Sequence, residues 1–69
     1  MLDKNALRAE IVKNGLTQKD VAKKLNISEK TFISRMKKGV FGTDEVEIMV
    51  DYLGIKNPVE IFFANSVTW

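Results

Sequence analysis

The sequence predicts a single all-α domain of five short helices, and three observations support this fold class. Apolar residues recur three or four positions apart in five separate segments, which is the spacing of one helix face. Each segment follows a Ser, Thr, Asp or Asn suited to an N-cap, and Gly or Asn follows four of them. Because the 69 residues contain no internal repeat and no linker-like stretch, residues 1–69 are interpreted as one domain.

The first helix is predicted over residues 3–14. Asp3 is its N-cap, Leu7 and Ile11 lie four apart on its apolar face, and Asn14-Gly15 ends it. This face is expected to cover the two helices that follow.

The second and third helices, predicted over residues 17–25 and 28–38, are joined by a tight turn. Thr17 can cap the second helix, with Asp20 three positions on, and Ser28 can cap the third. Asn26 lies in the turn, where Asn is one of the few residues that accepts a left-handed backbone. The residues expected in the core are Val21, Ala22, Leu25, Ile27, Phe32 and Met36, and the expected stop is Gly39.

The last two helices are predicted over residues 43–53 and 58–64. Thr43 is the expected cap of the fourth, with Val46, Met49, Val50 and Leu53 on its core face and Gly54 as its stop. Asn57, Pro58 and Glu60 predict a cap, a first-turn proline and a capping-box partner for the fifth. The predicted core face of that helix is Val59, Phe62 and Phe63, with Ile61 opposite. Between the third and fourth helices, Val40 and Phe41 are expected to plug the edge of the core.

Charge is distributed unevenly along a chain whose net charge is only +2. Residues 13–38 carry eight basic and two acidic side chains, a net charge of +6, whereas residues 43–69 carry a net charge of −4. A basic segment that coincides with the central helix pair indicates a polyanionic partner, although a solvated lysine face is the simpler explanation on any helix.

The stretch from Thr17 to Lys38 resembles the helix-turn-helix of the lambda-repressor and Cro-like family, which includes the xenobiotic-response-element regulators of bacteria and phages. The matching residues are Thr17-Gln18, Val21-Ala22, Leu25, Ile27-Ser28 and Thr31-Phe32. The resemblance implies a lambda-repressor-like five-helix domain, a phage-derived cytoplasmic regulator, and a double-stranded DNA operator with the third helix in its major groove. The chain departs from the family at Asn26, usually Gly, and at Arg35, usually aliphatic, so Met36 is expected to take that core role.

Helix geometry puts Lys30, Ser34 and Lys37 opposite Phe32 and Met36. In such a helix the N-terminal half reads base edges, and lysines near its end contact phosphates. The predicted DNA-binding residues are Thr17, Gln18, Lys19, Ser28, Glu29, Lys30, Thr31, Ile33, Ser34, Lys37 and Lys38. Three alternatives stay open: capping alone for Thr17 and Ser28, pairing with the helix dipole for Glu29, and partial burial for Ile33.

Enzymatic function is not expected, because the chain has no His and no Cys, and no cofactor or metal is predicted. The rival function is a protein-interaction module of the same fold that binds another regulator through helices four and five. Apolar residues left over there predict a surface for a homodimer or a partner regulator: Ile48, Tyr52, Ile61, Val67 and Trp69. An alternative is that the C-terminal tail folds back over Tyr52. No membrane-spanning segment is expected, since the apolar runs are too short.

Overall fold

The computed structural model describes residues 2–63. Over that range it contains five α-helices and no strand, which confirms the all-α prediction. The helices are α1 (Lys4–Lys13), α2 (Gln18–Lys24), α3 (Glu29–Lys38), α4 (Thr43–Leu53) and α5 (Pro58–Phe62). Each predicted helix is present, with bounds within two residues of the prediction, except that Ala64, the expected end of the fifth, lies outside the described residues.

One apolar core draws on every helix. Its most deeply buried side chains are Leu7 of α1, Val21 of α2, Phe32 and Met36 of α3, and Met49 of α4. Among the described residues no polar or charged side chain is buried with them. Since the chain has no cysteine for a disulfide, and its described residues form no cluster of potential metal ligands, this apolar burial is expected to supply most of the stability.

The α2–α3 pair forms as its capping residues predict. Thr17 accepts a hydrogen bond from the Asp20 N–H, and Ser28 accepts one from the Thr31 N–H. Between the helices Asn26 takes a left-handed conformation with φ of 62°, and Gly39 ends α3 with φ of 76°. These local interactions fix where α3 begins and ends, and the four-residue spacing of Phe32 and Met36 determines which of its faces points inward.

The N-cap of α4 is Gly42 rather than Thr43, which corrects the prediction. Thr43 is the first helical residue, and the Glu45 carboxylate accepts the Gly42 N–H at 2.9 Å. The Glu45 carboxylate therefore caps the start of α4 in place of the expected Thr43 hydroxyl. In the preceding loop Val40 is exposed, contrary to the prediction, whereas Phe41 packs against the core as predicted, with its ring tilted by 44° to that of Phe32 and the centroids 5.5 Å apart.

The predicted buried face of α5 was right for Phe62 and wrong for Val59, Phe63 and Ile61. Ile61 and Phe62 are buried, while Val59 and Phe63 keep 51 % and 48 % of their surface exposed. The physical reason is a tertiary contact: the Asp3 N–H donates to the Ile61 carbonyl at 2.6 Å, which sets this short helix against the start of α1. The predicted capping box also does not form, since the Asn57 side chain makes no cap hydrogen bond.

Two side chains connect separate helix C-termini to α1. The Asn14 amide donates to the Glu10 carbonyl at 2.7 Å and to the Leu53 carbonyl at 2.9 Å, which joins the ends of α1 and α4. The Lys4 ammonium donates to the Lys37 carbonyl at 2.7 Å. Its positive charge also interacts favourably with the negative C-terminal end of the α3 dipole. None of the helices in the described part of the chain is long and apolar enough to cross a bilayer.

Candidate nucleic-acid interface

Helix α3 separates an apolar face from a polar, basic one. Phe32 and Met36 are buried, and Lys30, Ser34 and Lys37 are exposed, as successive steps of 100° require. Ile33 flanks the polar face and keeps 47 % of its surface exposed. The polar face therefore offers amine, hydroxyl and aliphatic groups on a helix whose orientation is set by its buried side.

The first turn of α3 contains both capping groups and free polar groups. The Ser28 hydroxyl accepts the Thr31 N–H at 3.1 Å and donates to the Thr31 hydroxyl oxygen at 2.8 Å. Ser28 is thus engaged in capping, whereas Thr31 keeps its own hydroxyl proton to donate. Glu29 and Lys30 are exposed beside them.

The start of α2 is closed by a reciprocal capping box. The Thr17 N–H and hydroxyl both donate to the Asp20 carboxylate, at 2.8 and 3.0 Å, and the Thr17 hydroxyl accepts the Asp20 N–H at 3.2 Å. The Thr17 backbone hydrogen bond, then its hydroxyl, and the charges of Lys23 and Lys19 lower the pKa of Asp20 below its ordinary value. Thr17 accordingly has little hydrogen-bonding capacity left for a ligand, while Gln18 is half-buried and Lys19 exposed.

Arg8 lies beside the start of α2, and it was not among the residues predicted from the sequence. A shallow groove of about 300 Å³ is lined by Arg8 of α1 together with Leu16, Thr17 and Gln18. Arg8 lies next to Leu7 and off the Leu7–Ile11 face, which is a sign of exposure, but residues 1–12 contain two basic and two acidic side chains and so give no net charge that would single it out. The groove adds a guanidinium close to Gln18.

Two cations of the basic segment are directed at other groups. Arg35 forms an ion pair with Glu45 of α4, and the Lys24 ammonium lies 5.3 Å from the centre of the Tyr52 ring. Lys19, Lys30, Lys37 and Lys38 are exposed and have no ion-pair partner among the described residues. The charge available to a ligand is therefore smaller than the sequence total of +6, and Lys30, Lys37 and Lys38 place part of it on α3.

The predicted homodimer or partner surface is not assembled as expected. Ile61 is buried, and Tyr52 packs against the core beneath Lys24, so only Ile48, at 37 % exposure, is left of the predicted residues on α4 and α5. Val67 and Trp69 lie outside the described residues. Within the described part of α4 and α5, Val59 and Phe63 are exposed together with Ile48, although the sequence predicted both of them in the core.

Comparison with known proteins gives no match: no protein-family model fits the chain, and no curated protein or solved structure resembles it significantly. The class that the structure defines is an all-helical domain with a basic helix face.

Proposed function

We propose that this chain is a small sequence-specific regulator that binds double-stranded DNA, a member of the lambda-repressor and Cro-like helix-turn-helix class. One observation carries the proposal: α3 buries Phe32 and Met36 while it exposes Lys30, Ser34 and Lys37 on the opposite side. A helix held by one face and polar on the other has the form needed to enter a major groove.

The exposed residues of α3 have chemistry that can distinguish base pairs. Lys30 can donate to guanine O6 or N7, Glu29 can accept from cytosine N4, and Ile33 can contact a thymine methyl group. Ser34 and the free hydroxyl proton of Thr31 add short-range donors. In this proposal Ser28 orients the helix by capping it.

Other exposed groups would bind phosphates and thereby hold α3 in register. Lys37 and Lys38 follow the polar face to the end of α3, and Lys19 and Gln18 lie at the start of α2 with Arg8 close to Gln18. Such contacts supply affinity without reading sequence. A single site of this size is weak, so we further propose that two copies of this phage-derived regulator bind half-sites about one DNA turn apart in the bacterial cytoplasm.

The test is fluorescence anisotropy with random and selected duplexes over a range of salt concentrations. We expect binding at low salt, a linear fall of log affinity with log salt, and a slope shallower by about two in a Lys37→Gln/Lys38→Gln variant. Lys56→Gln, a lysine outside α2 and α3, is the matched control and should leave the slope unchanged. Absence of binding to any duplex at low salt would reject the proposal.

A protein-interaction module of the same fold is the second candidate function. The exposure of Val59 and Phe63 beside α4 favours it, because small domains rarely leave neighbouring apolar side chains uncovered without a use. A module that binds only proteins would have no affinity for duplex DNA, so the same anisotropy experiment separates it from the first candidate; a chain with both functions would bind duplex DNA as well.

A further inference from the structure

An open groove between α4 and α5 is lined mainly by apolar side chains. Val46 and Val50 form its α4 wall, Val59 and Phe63 its α5 wall, and its volume is about 560 Å³. We call these four residues the apolar groove. Val46 and Val50 are only half-buried, so all four present apolar surface to a ligand.

The apolar groove continues into a second depression. This smaller one, of about 230 Å³, shares Val46 and Phe63 with it and extends to Val40 and Phe41. The two depressions adjoin at Val46 and Phe63, so apolar lining residues occur from the loop after α3 to the end of α5. Such a surface can contact a bound segment through more side chains than one isolated exposed residue can.

The rim of the apolar groove is acidic. Glu47 and Asp51 line it from α4, are exposed, and have no ion-pair partner among the residues described. Residues 43–63 contain one lysine, Lys56, against five carboxylates, and only Glu45 is neutralised, by Arg35. A second copy of this chain docked symmetrically would bring Glu47 and Asp51 near their own counterparts, whereas a segment with Lys or Arg beside its apolar side chains is complementary.

We propose that the apolar groove binds an amphipathic helix of a partner protein, with apolar side chains between Val50 and Phe63 and basic side chains against Glu47 and Asp51. Helices with one apolar face commonly bind such grooves, and flanking charge selects among them. The site lies on α4 and α5, so it does not rest on DNA binding by α3.

The probe is a synthetic helical peptide of leucine and lysine with all leucines on one face, titrated into the intact chain and followed by amide NMR shifts. We expect shifts centred on the apolar groove and affinity that falls as salt rises. A matched peptide with glutamate in place of lysine should bind at least several-fold more weakly. Equal affinity for both peptides, or no binding of either, overturns the proposal.

Two pairs of variants test the groove itself. Val59→Asp should weaken the lysine peptide at least about tenfold, since a carboxylate would enter an apolar contact, whereas Val12→Asp on exposed α1 surface should not. Asp51→Lys should weaken it several-fold, and Glu60→Lys, the same charge change outside the groove, should have a smaller effect. Urea melts of each variant establish that the fold is retained, and equal losses within either pair contradict the proposal.

Two other occupants are outcomes of the same experiment. If the intact chain ignores the lysine peptide but a Val67→Ser/Trp69→Ser variant binds it, the chain's own C-terminal residues occupy the groove and the proposal is wrong. It is also wrong if sedimentation equilibrium finds a dimer that Val59→Asp dissociates.

Discussion

The α2–α3 pair and the α4–α5 pair begin their helices in different ways. In the first pair a hydroxyl side chain, Thr17 or Ser28, caps each helix. In the second pair neither N-cap residue, Gly42 or Asn57, makes a side-chain cap hydrogen bond. In α4, where Glu45 accepts the Gly42 N–H, the predicted core face is still buried at Met49 and Leu53, whereas the five-residue α5 takes its buried face from tertiary contacts. The difference teaches that apolar spacing determines the buried face of a helix of several turns but not that of a single short one.

The largest expected effect compares two phenylalanines. Phe32→Ala should destabilise the domain by about 3–5 kcal/mol, close to the whole stability of so small a fold, because it empties the centre of the core. Phe63→Ala, at a half-exposed position on the other pair, should cost less than about 1 kcal/mol. Thermal and urea unfolding followed by circular dichroism measure both, and an unchanged midpoint for Phe32→Ala would refute the phase of α3.

The second effect tests the phase of α5 directly. Ile61→Ala should cost about 2–4 kcal/mol because Ile61 is buried, and Val59→Ala, two residues away and exposed, should cost under about 1 kcal/mol. Urea denaturation midpoints give the comparison. The reverse order would restore the face predicted from sequence.

The third effect compares a lysine of the basic half with one of the acidic half. Lys30→Ala should lose about 1–3 kcal/mol of specific binding and relax preference at one base pair, while Lys56→Ala should leave operator binding unchanged. Affinities for a selected duplex and its single-base variants provide the measurement. A loss that is equal on all sequences would make Lys30 a phosphate contact.

A smaller effect separates a cap from a residue just inside the helix. Ser28→Ala should destabilise the fold by about 1 kcal/mol, because the Thr31 N–H loses its acceptor. Thr43→Ala should change the unfolding free energy by only a few tenths of a kcal/mol, since Gly42 is the N-cap there. Equal costs in urea unfolding would mean that Thr43 caps α4 after all.

The smallest effect is the pH dependence of the Thr17 cap. The folded state lowers the pKa of Asp20 below 3.8, so its stabilisation is present above the unfolded pKa and is lost as pH falls through the folded value. Carboxyl NMR titration should find this low pKa, and Thr17→Ala should raise it toward 3.8. An Asp20 that titrates at its ordinary value in the unaltered protein would show that the capping box does not form in solution.

The sequence was sufficient for α1 to α3 because their signals are local. Asp3, Thr17 and Ser28 cap as predicted, and Asn26 adopts the left-handed conformation that its residue type permits. Phe32 and Met36 define the buried face of α3, and most residues of its polar face lie opposite them. This part of the candidate site could therefore be deduced by counting residues along the helix.

Two features could not be deduced, because they depend on residues far apart in sequence. Five residues make less than two turns, so α5 has no periodicity to read, and the bond from Asp3 to Ile61 decides which side is buried. Likewise, no local sequence pattern predicts that Arg35 pairs with Glu45 or that Arg8 lies beside Gln18. Those pairings exist only once the helices have packed.

The hydrogen bonds of the Asn14 amide make the contact between α1 and α4 less sensitive to ionic strength than an ion pair would be. Both helices end at this side chain, and it satisfies their carbonyls with neutral donors. Dissolved ions screen the Arg35–Glu45 ion pair but have little effect on the hydrogen bonds of an uncharged amide. Salt concentrations that would dissociate the proposed DNA complex should therefore leave the position of α1 against α4 unchanged.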